Sequence, residues 1–369
     1  MLLKTAPAVF VVEDTYQIMV PVSRPTVLWV EVDGKCYYDN SNGILRSQVG
    51  ARRVNVPMVE LNRAGKYTLY YREVLNRQPY FPELGETFKE EFSFRAPVGD
   101  KIRAYHIADA HNFVAEPVRA AKFFEQSVGE LDFLILNGDI PNHSGELSYF
   151  DTIYEICAQI TGGNIPVVFS RGNHDARGLY AENMADYTPG KNGLPYYTFR
   201  LGNIWGVLLD CGEDKPDEFE AYNGTICCHD FRLQETAFLE GLSKRAAEEY
   251  EAEGVLHKLV ICHVPFSERR PEPFNIEEDL YAHWCEVLKE TVKPDLMICG
   301  HTHQLAVNLP GGEKDDFNQP CPVVVASEID WGEGKETYYA GGGFVFEKDG
   351  ITVVFNDHEK VLRTEKFVK

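Results

Sequence analysis

Five short polar motifs follow one another along the chain, each directly after a run of residues suited to a buried strand. Their side chains are carboxylate, imidazole and amide groups, which can bind a metal or move a proton. In order, the motifs are Asp109-Ala110-His111, Gly138-Asp139, Gly172-Asn173-His174-Asp175, the single His263, and Gly300-His301-Thr302-His303. Because sites in an open α/β sheet form at the carboxyl ends of its strands, we expect these five segments to converge.

The side chains of this set suit a pair of divalent cations. Two carboxylates, four imidazoles and one amide are the candidate ligands, namely Asp109, His111, Asp139, Asn173, His263, His301 and His303. A mixed oxygen and nitrogen set without thiolates favours Mn, Fe, Zn, Co or Ni over Cu(I) or an iron–sulfur cluster.

Asp139 has two oxygens and can bridge both ions. Two ions about 3.5–4 Å apart can share a hydroxide nucleophile and bracket a phosphoryl group, so we expect a small phosphorylated substrate.

The motif at residues 172–175 predicts a separate role for each of its polar side chains. Asn173 offers a neutral carbonyl oxygen to a cation. His174 is then free to donate a proton to the leaving group as a general acid. Asp175 can accept a hydrogen bond from the other ring nitrogen of His174, which would fix the tautomer and favour the imidazolium form.

Each motif also has an ordinary structural interpretation when it is taken alone. Asp-x-His and Gly-Asp are common as turns or helix caps, and a lone histidine such as His263 is usually a hydrogen-bonded core residue. The recurrence of all five motifs at strand ends favours a functional site.

Three further residues are less specific candidates for contacting substrate. Arg177 and Tyr180 could bind a phosphate oxygen or leaving group, or they could face solvent. Asn112 could contact substrate or cap a helix.

Two loops near the motifs have a structural interpretation as the default. Asn142 and His143 follow the Gly-Asp motif and are expected to form the N-cap region of a helix that begins at about residue 146, with lining of the pocket as the alternative. The acidic run 211–224 is expected to be a solvated loop, with a substrate rim as the alternative, because it is rich in Gly, Pro and Asp.

The elements that must position these motifs alternate between strand and helix after residue 101. Such alternation predicts an α/β domain. Strands are predicted at 102–108, 132–137, 166–170, 258–262 and 295–299, helices at 116–128, 146–161, 231–253 and 276–291, and hairpins at 195–211 and near the chain end with Asp349-Gly350 as the turn.

The residues before this domain show a different pattern. Short runs rich in β-branched and aromatic residues are separated by turn signals such as Asp33-Gly34 and Asn42-Gly43, and no segment has helical periodicity. We therefore expect an all-β sandwich over residues 1–98 and a catalytic domain over 99–369, because the Pro- and Gly-containing stretch 96–101 separates the two patterns.

The composition indicates which binding partners and which cellular compartment are expected. The chain has 369 residues and a formal net charge of −21, which disfavours nucleic acid and anionic membranes as partners. Two divalent ions would carry +4 against −2 from the ligands, and would give an anionic substrate a positive centre to bind. The nine cysteines are irregularly spaced, and neither a signal peptide nor a membrane span is recognised. We expect a cytoplasmic, reduced protein, while its oligomeric state cannot be read from the sequence.

The ordered motifs resemble those of the calcineurin-like metallophosphoesterase superfamily, whose pattern is D-x-H, G-D, G-N-H-D/E, a lone H and G-H-x-H. The resemblance covers about residues 101–310 and implies a four-layer α/β/β/α sandwich. It also implies two ligand sets that share Asp139: Asp109, His111, Asp139 and His303 for one ion, and Asp139, Asn173, His263 and His301 for the other. His174 would be the catalytic histidine.

The β-rich leader is similar to the fibronectin III-like domain that precedes the catalytic domain of purple acid phosphatases. Those enzymes carry a metal-binding tyrosine three residues after the bridging Asp, where this sequence has Asn142. A tyrosinate-to-iron colour is therefore not expected.

These features favour metal-dependent hydrolysis of phosphate esters. One alternative keeps the enzyme but changes the bond, as in a phosphodiesterase acting on nucleotide or lipid head-group diesters. The other alternative is a non-catalytic metal-binding scaffold module.

Overall fold

A large mixed β-sheet dominates the computed structural model, which describes residues 1–332 and 334–368. The strands, in chain order, are β1 Ala8–Val12, β2 Thr15–Val22, β3 Thr26–Val32, β4 Lys35–Tyr38, β5 Asn40–Ser41, β6 Ile44–Leu45, β7 Gly50–Pro57, β8 Lys66–Asn76, β9 Glu83–Leu84, β10 Phe88–Ser93, β11 Lys101–Ile107, β12 Phe133–Asn137, β13 Pro166–Ser170, β14 Tyr197–Leu201, β15 Ile204–Leu209, β16 His257–Cys262, β17 Leu296–Cys299, β18 Gln304–Asn308, β19 Val323–Asp330, β20 Tyr338–Glu347, β21 Gly350–Asn356 and β22 Val361–Val368. The helices are α1 Met58–Ala64, α2 Ala115–Val128, α3 Asp151–Thr161, α4 Met184–Tyr187, α5 Cys228–Gly241 and α6 Glu278–Val287.

The main sheet consists of two parallel halves joined by an antiparallel strand. Its order is β14-β15-β16-β17-β19-β20-β11-β12-β13-β1-β2-β7. Strands β11, β12 and β13 run parallel in one half, and β15, β16, β17 and β19 run parallel in the other. Strand β20 is antiparallel to both β19 and β11. The carboxyl ends of each parallel set share one edge, so the polar motifs that follow these strands can meet there.

Alternating side chains divide the core into an inner and two outer layers. In β11, Ile102 and Ala104 join the inner cluster, whereas Tyr105 and Ile107 join the cluster beneath α2 and α3. Helices α5 and α6 pack on the outer side of the other half. The period of two along a strand places its apolar residues on both faces. Helices therefore cover the outside, and the two sheet halves face each other inside. The α/β class is confirmed, with a large mixed sheet.

The separate β-sandwich predicted for residues 1–98 is not shown. Strand β1 pairs in parallel with β13, and β2 and β7 continue the same sheet. Strands β3, β4, β8, β9 and β10 form a second sheet, whose Leu28 and Leu69 pack in the inner cluster with Val9 and Val11. All five residues of β1 are buried. An uninterrupted apolar run of this kind is typical of a strand covered on both faces, but it does not reveal which strand lies beside it.

Helices depart from the predicted segments mainly at their ends. The segment expected to be helical from residue 146 begins with a 3-10 turn at Leu147–Phe150, and the α-helix starts at Asp151. Helix α5 ends at Gly241, well before residue 253. Helix α1, Met58–Ala64, lies within the N-terminal residues that were expected to be all-β. Of the helices in the described part of the chain, none has the length and apolar composition needed to cross a bilayer.

Candidate metal centre

The five motif segments meet at the carboxyl edge of the two parallel halves. A first group of side chains combines Asp109 and His111, which follow β11, with His303, which follows β17. The Nε2 atoms of His111 and His303 are 3.1 Å apart, and the Nε2 of His303 lies 3.3 Å from Asp109 Oδ1. Candidate ligand atoms of the three residues all lie within 4.8 Å of one another.

A second group lies beside the first and contains Asp139, Asn173, His263 and His301. The Nε2 of His263 is 3.2 Å from Asp139 Oδ2, and the Nδ1 of His301 is 2.9 Å from Asn173 Oδ1. His263 Nε2 is also 3.7 Å from an oxygen of Asp109, which belongs to the first group. The structure therefore brings all seven predicted ligand residues together.

The arrangement of these atoms fits bound cations. Asp109 Oδ1 and His263 Nε2 are buried, and no group of the described residues lies in hydrogen-bonding geometry to either atom. Two imidazole nitrogens that face each other at 3.1 Å, as in His111 and His303, repel each other unless a proton or a cation accepts their lone pairs. Burying such groups without a partner is costly, so the fit favours metal ligation.

Hydrogen bonds around the cluster set which atom of each side chain faces inward. The Nδ1 of His263 donates to the carbonyl oxygen of Asn137 at 2.7 Å, so its Nε2 is the atom left for a cation. Asp109 Oδ2 accepts from the backbone N–H of His301 at 2.8 Å and from the hydroxyl of Ser327. Outer contacts of this kind fix the orientation and tautomer of metal ligands.

The backbone at the cluster is strained. Five of the seven candidate ligands have a left-handed backbone conformation, with φ of 52° at Asp109, 44° at His111, 53° at Asp139, 71° at His301 and 51° at His303. Such conformations cost on the order of 1–3 kcal/mol each for residues other than glycine. Their concentration in these loops is independent evidence for a functional site.

Glycines in the motifs allow the loops to approach closely. A Cβ atom on Gly172 would lie 2.2 Å from Asp139 Oδ1, and one on Gly138 would lie 2.6 Å from both Gly172 Cα and the ring of His263. Gly138 also has a φ of +79°. A larger residue at Gly172 would push Asp139 out of the cluster, and one at Gly138 would collide with Gly172 and the ring of His263.

The carboxylates make the electrostatic potential of the cluster strongly negative. Burial lowers the pKa of the His111 imidazole to about 4 and, with the neighbouring His263, that of His301 to about 3. Burial also opposes protonation of His263, but the adjacent Asp139 and Asp109 carboxylates outweigh it and raise the pKa to about 10. His111 and His301 are therefore neutral imidazoles with free lone pairs, and the raised pKa of His263 indicates a local potential that attracts cations. Both are features of a metal site.

The structure corrects the predicted role of Asp175. The Nδ1 of His174 lies 2.8 Å from the carbonyl oxygen of Asn142, which takes the place expected for the Asp175 carboxylate. Asp175 Oδ2 instead accepts from the backbone N–H groups of Gly172 at 2.7 Å and Asp139 at 3.2 Å. The reason is local, because the segment forms a 3-10 turn, in which successive side chains point about 120° apart. Asp175 therefore joins two ligand loops.

His174 itself lies at the edge of the cluster. Its Nε2 is 4.0 Å from Asp139 Oδ2, and its ring centroid is 4.9 Å from that of His111. The side chain is 32% exposed, so a bound molecule can reach it. His174, His111 and Asp139 also lie within ligand distance of a single cation. The position therefore suits a ligand as well as a proton donor.

The three predicted substrate contacts have other partners. Arg177 forms a two-pronged ion pair with Glu213, at 2.7 and 2.8 Å. The partly buried Tyr180 packs against the apolar cluster beneath α2 and α3. Asn112 Oδ1 accepts from the backbone N–H of Asn142 at 3.1 Å and so ties two loops together. All three lie near the motifs in sequence, but nearness in sequence does not determine where a side chain points.

Sequence reasoning missed three side chains at the cluster. Trp331 is 41% exposed, and its ring centroid lies 5.1 Å from that of His111 and 5.6 Å from that of His303. Arg270 and Asp214 line the open pocket of about 340 Å³ in front of the cluster. Trp331 directly follows β19, so it could have been predicted from the rule that sites form at the carboxyl ends of strands. Asp214 lies in the acidic run 211–224, for which a substrate rim was the alternative interpretation, whereas Arg270 had no comparable signal.

Comparison with known proteins agrees with this site. The sequence matches the family described as calcineurin-like phosphoesterase over residues 102–305. None of the curated proteins matches the sequence. Among solved structures, the purple acid phosphatase PPD1 from yellow lupin (Lupinus luteus) seeds is similar, with a TM-score of 0.62, 12% identity, and coverage of 99% of this chain and 74% of that chain.

The structure of PhoD is also similar, with a TM-score of 0.53, 11% identity, and coverage of 98% of this chain and 88% of that chain. At such low identities, both likenesses show a shared fold. The family match spans more than half of the 369 residues. The chain therefore belongs to the calcineurin-like phosphoesterase family.

Proposed function

We propose that this protein is a metal-dependent phosphoester hydrolase. The observation that carries the proposal is the meeting of seven candidate ligand side chains from five loops, two of whose buried atoms have no hydrogen-bond partner among the described residues. Family membership supports the same chemistry. The first group and Asp139 would hold one divalent ion, and the second group, which shares Asp139, would hold another.

Two divalent ions held there would polarise the phosphoryl oxygens and make hydroxide available at neutral pH. The contribution of the protein is to hold the ligands rigidly, through the strained backbone and the outer hydrogen bonds described above. Mn, Fe, Zn, Co and Ni all suit a set of this composition.

His174 is the proposed general acid. Its Nδ1–H donates to the backbone carbonyl of Asn142, so its Nε2 is the atom from which a proton can be transferred. After the P–O bond breaks, the proton from Nε2 neutralises the leaving alkoxide, and the imidazole becomes neutral.

Arg270 supports the binding of an anionic group in front of the cluster. It carries the positive charge among the described residues that line this pocket, which include His174, His301 and His303. Its Nε lies 2.9 Å from Glu268 Oε1, and its buried Nη2 has no hydrogen-bond partner in the part of the chain that the structure describes. A guanidinium with an unused donor is suited to a phosphate oxygen.

The test is hydrolysis of a chromogenic phosphate ester by the full-length chain. After removal of metals by chelation, turnover should be lost, and addition of Mn²⁺ or Co²⁺ should restore it. Parallel assays with a monoester and with its phenyl diester would show which ester class is preferred. The absence of metal-dependent turnover with either class would contradict the proposal.

A further inference from the structure

We propose that Asp214 is a positioning residue that orients two ligands of one cation, Asn173 and His301. The inference rests on the proposed metal centre and adds a residue outside its ligand set. Asp214 lies in the acidic run 211–224, which was expected to be a solvated loop. In the structure its side chain is buried at the edge of the cluster.

One carboxylate oxygen of Asp214 faces both ligands from behind. Asn173 Nδ2 donates to Asp214 Oδ2 at 3.3 Å, and His301 Nε2 lies 4.0 Å from the same oxygen. The opposite atoms of the two ligands, Asn173 Oδ1 and His301 Nδ1, are 2.9 Å apart. An amide whose nitrogen is held on one side presents its oxygen on the other. An imidazole with its Nε2–H toward a carboxylate likewise presents the Nδ1 lone pair.

The other oxygen of Asp214 is held by two positively charged side chains. Asp214 Oδ1 lies 3.0 Å from Arg177 Nη2 and 2.6 Å from Lys215 Nζ. Arg177 is itself fixed by its two contacts with Glu213, whose Oε2 also accepts from the hydroxyl of Tyr222 at 2.9 Å. This network holds the carboxylate in place, so that Oδ2 can act as a fixed anchor for the ligands. It also gives Arg177 a role in the protein that does not require substrate.

A positioning role makes a prediction that a purely structural salt bridge does not. Loss of the Asp214 carboxylate should lower the affinity for the cation held by Asn173, His263 and His301. It should leave unchanged the affinity for the cation held by Asp109, His111 and His303. Removal of such an outer contact typically lowers metal affinity by about 10–100-fold. A structural defect in the loop would lower stability without choosing between the two ions.

The experiment is a Co²⁺ titration of the metal-stripped full chain, followed by equilibrium dialysis with elemental analysis and by visible absorption of the bound Co²⁺. The wild-type chain should bind two ions. The nearly isosteric D214N variant should retain one ion at its original affinity and bind the second about 10–100-fold more weakly. D214A should show at least the same loss. The matched control is E218Q, an exposed acid on the same loop, which should bind two ions as the wild type does.

Three results would overturn the inference. D214N and D214A could bind both ions with unchanged affinity, or they could lose both ions to the same degree, while thermal melts show a folded chain. A wild-type chain that binds no Co²⁺ would overturn the proposed metal centre as well. A wild type with two ions and a D214N variant that also keeps both would refute the role of Asp214 alone and leave the proposed function standing.

Discussion

The imidazole of His174 is oriented by one backbone carbonyl, that of Asn142, at 2.8 Å from Nδ1. If its Nε2 protonates the leaving group, H174A should lower kcat by about 10²–10⁴-fold for an alkyl phosphate. The loss should be smaller for p-nitrophenyl phosphate, whose leaving group needs little protonation. Steady-state kinetics on both esters, with metal content measured in parallel, checks this. An equal loss on the two esters, or loss of bound metal, would instead indicate a ligand role.

The close approach of Gly172 to Asp139 gives a second test at the residue scale. A Cβ atom in G172A would lie 2.2 Å from Asp139 Oδ1 and should displace that carboxylate, with a stability cost of about 1–3 kcal/mol and loss of metal binding. The control is G241A on helix α5, where a Cβ would have no neighbour within 4 Å and stability should be unchanged or slightly higher. Thermal melts and metal titration compare the two. Normal metal binding by G172A would contradict the geometry.

Side-chain types and strand-end positions were sufficient to predict that the seven candidate ligands meet, but not what surrounds them. The partner of His174 is a backbone carbonyl. Because every residue has one, the residue types in the sequence do not identify it. Asp214 and Arg270 reach the cluster from loops whose path depends on tertiary contacts. The sequence therefore predicts which side chains form the cluster better than it predicts which groups hold those side chains in place.

At the scale of elements, strand β1 joins the N-terminal residues to the catalytic sheet. The sequence predicted the extended segments of residues 1–98 because their β-branched and aromatic pattern is local. It did not predict their partners, because pairing with β13 joins residues more than 150 positions apart, such as Val9 and Pro166. The N-terminal strands are therefore part of the support of the ligand loop that follows β13.

A pair of matched substitutions tests this role of β1. Val11 is fully buried in the inner cluster, so V11D should place an unpaired carboxylate there and cost about 3 kcal/mol or more. Val59 is 74% exposed in the first turn of α1, where an aspartate is favourable, so V59D should change stability by less than about 1 kcal/mol. Urea unfolding with an activity assay checks both. A stable, active V11D chain would mean that β1 is not part of the common core.

At the scale of the whole molecule, the net charge of −21 acts on substrate and metal in opposite directions. The surface repels an anionic ester at long range and attracts cations. Raising the ionic strength from about 0.01 to 0.15 M shortens the screening length from about 30 to 8 Å. At saturating metal, kcat/KM should then rise, more for a dianionic monoester than for a diester, while the apparent metal affinity falls. A fall in kcat/KM for both esters would show that the local positive centre dominates substrate approach.

Anomalous X-ray diffraction from crystals of the full chain grown with Mn²⁺ or Co²⁺ tests the proposed two-metal centre most directly. Two peaks are expected on either side of Asp139, about 3.5–4 Å apart, one contacting Asp109, His111 and His303 and the other contacting Asn173, His263 and His301. The absence of peaks at this cluster, or peaks only at other acidic positions, would contradict it.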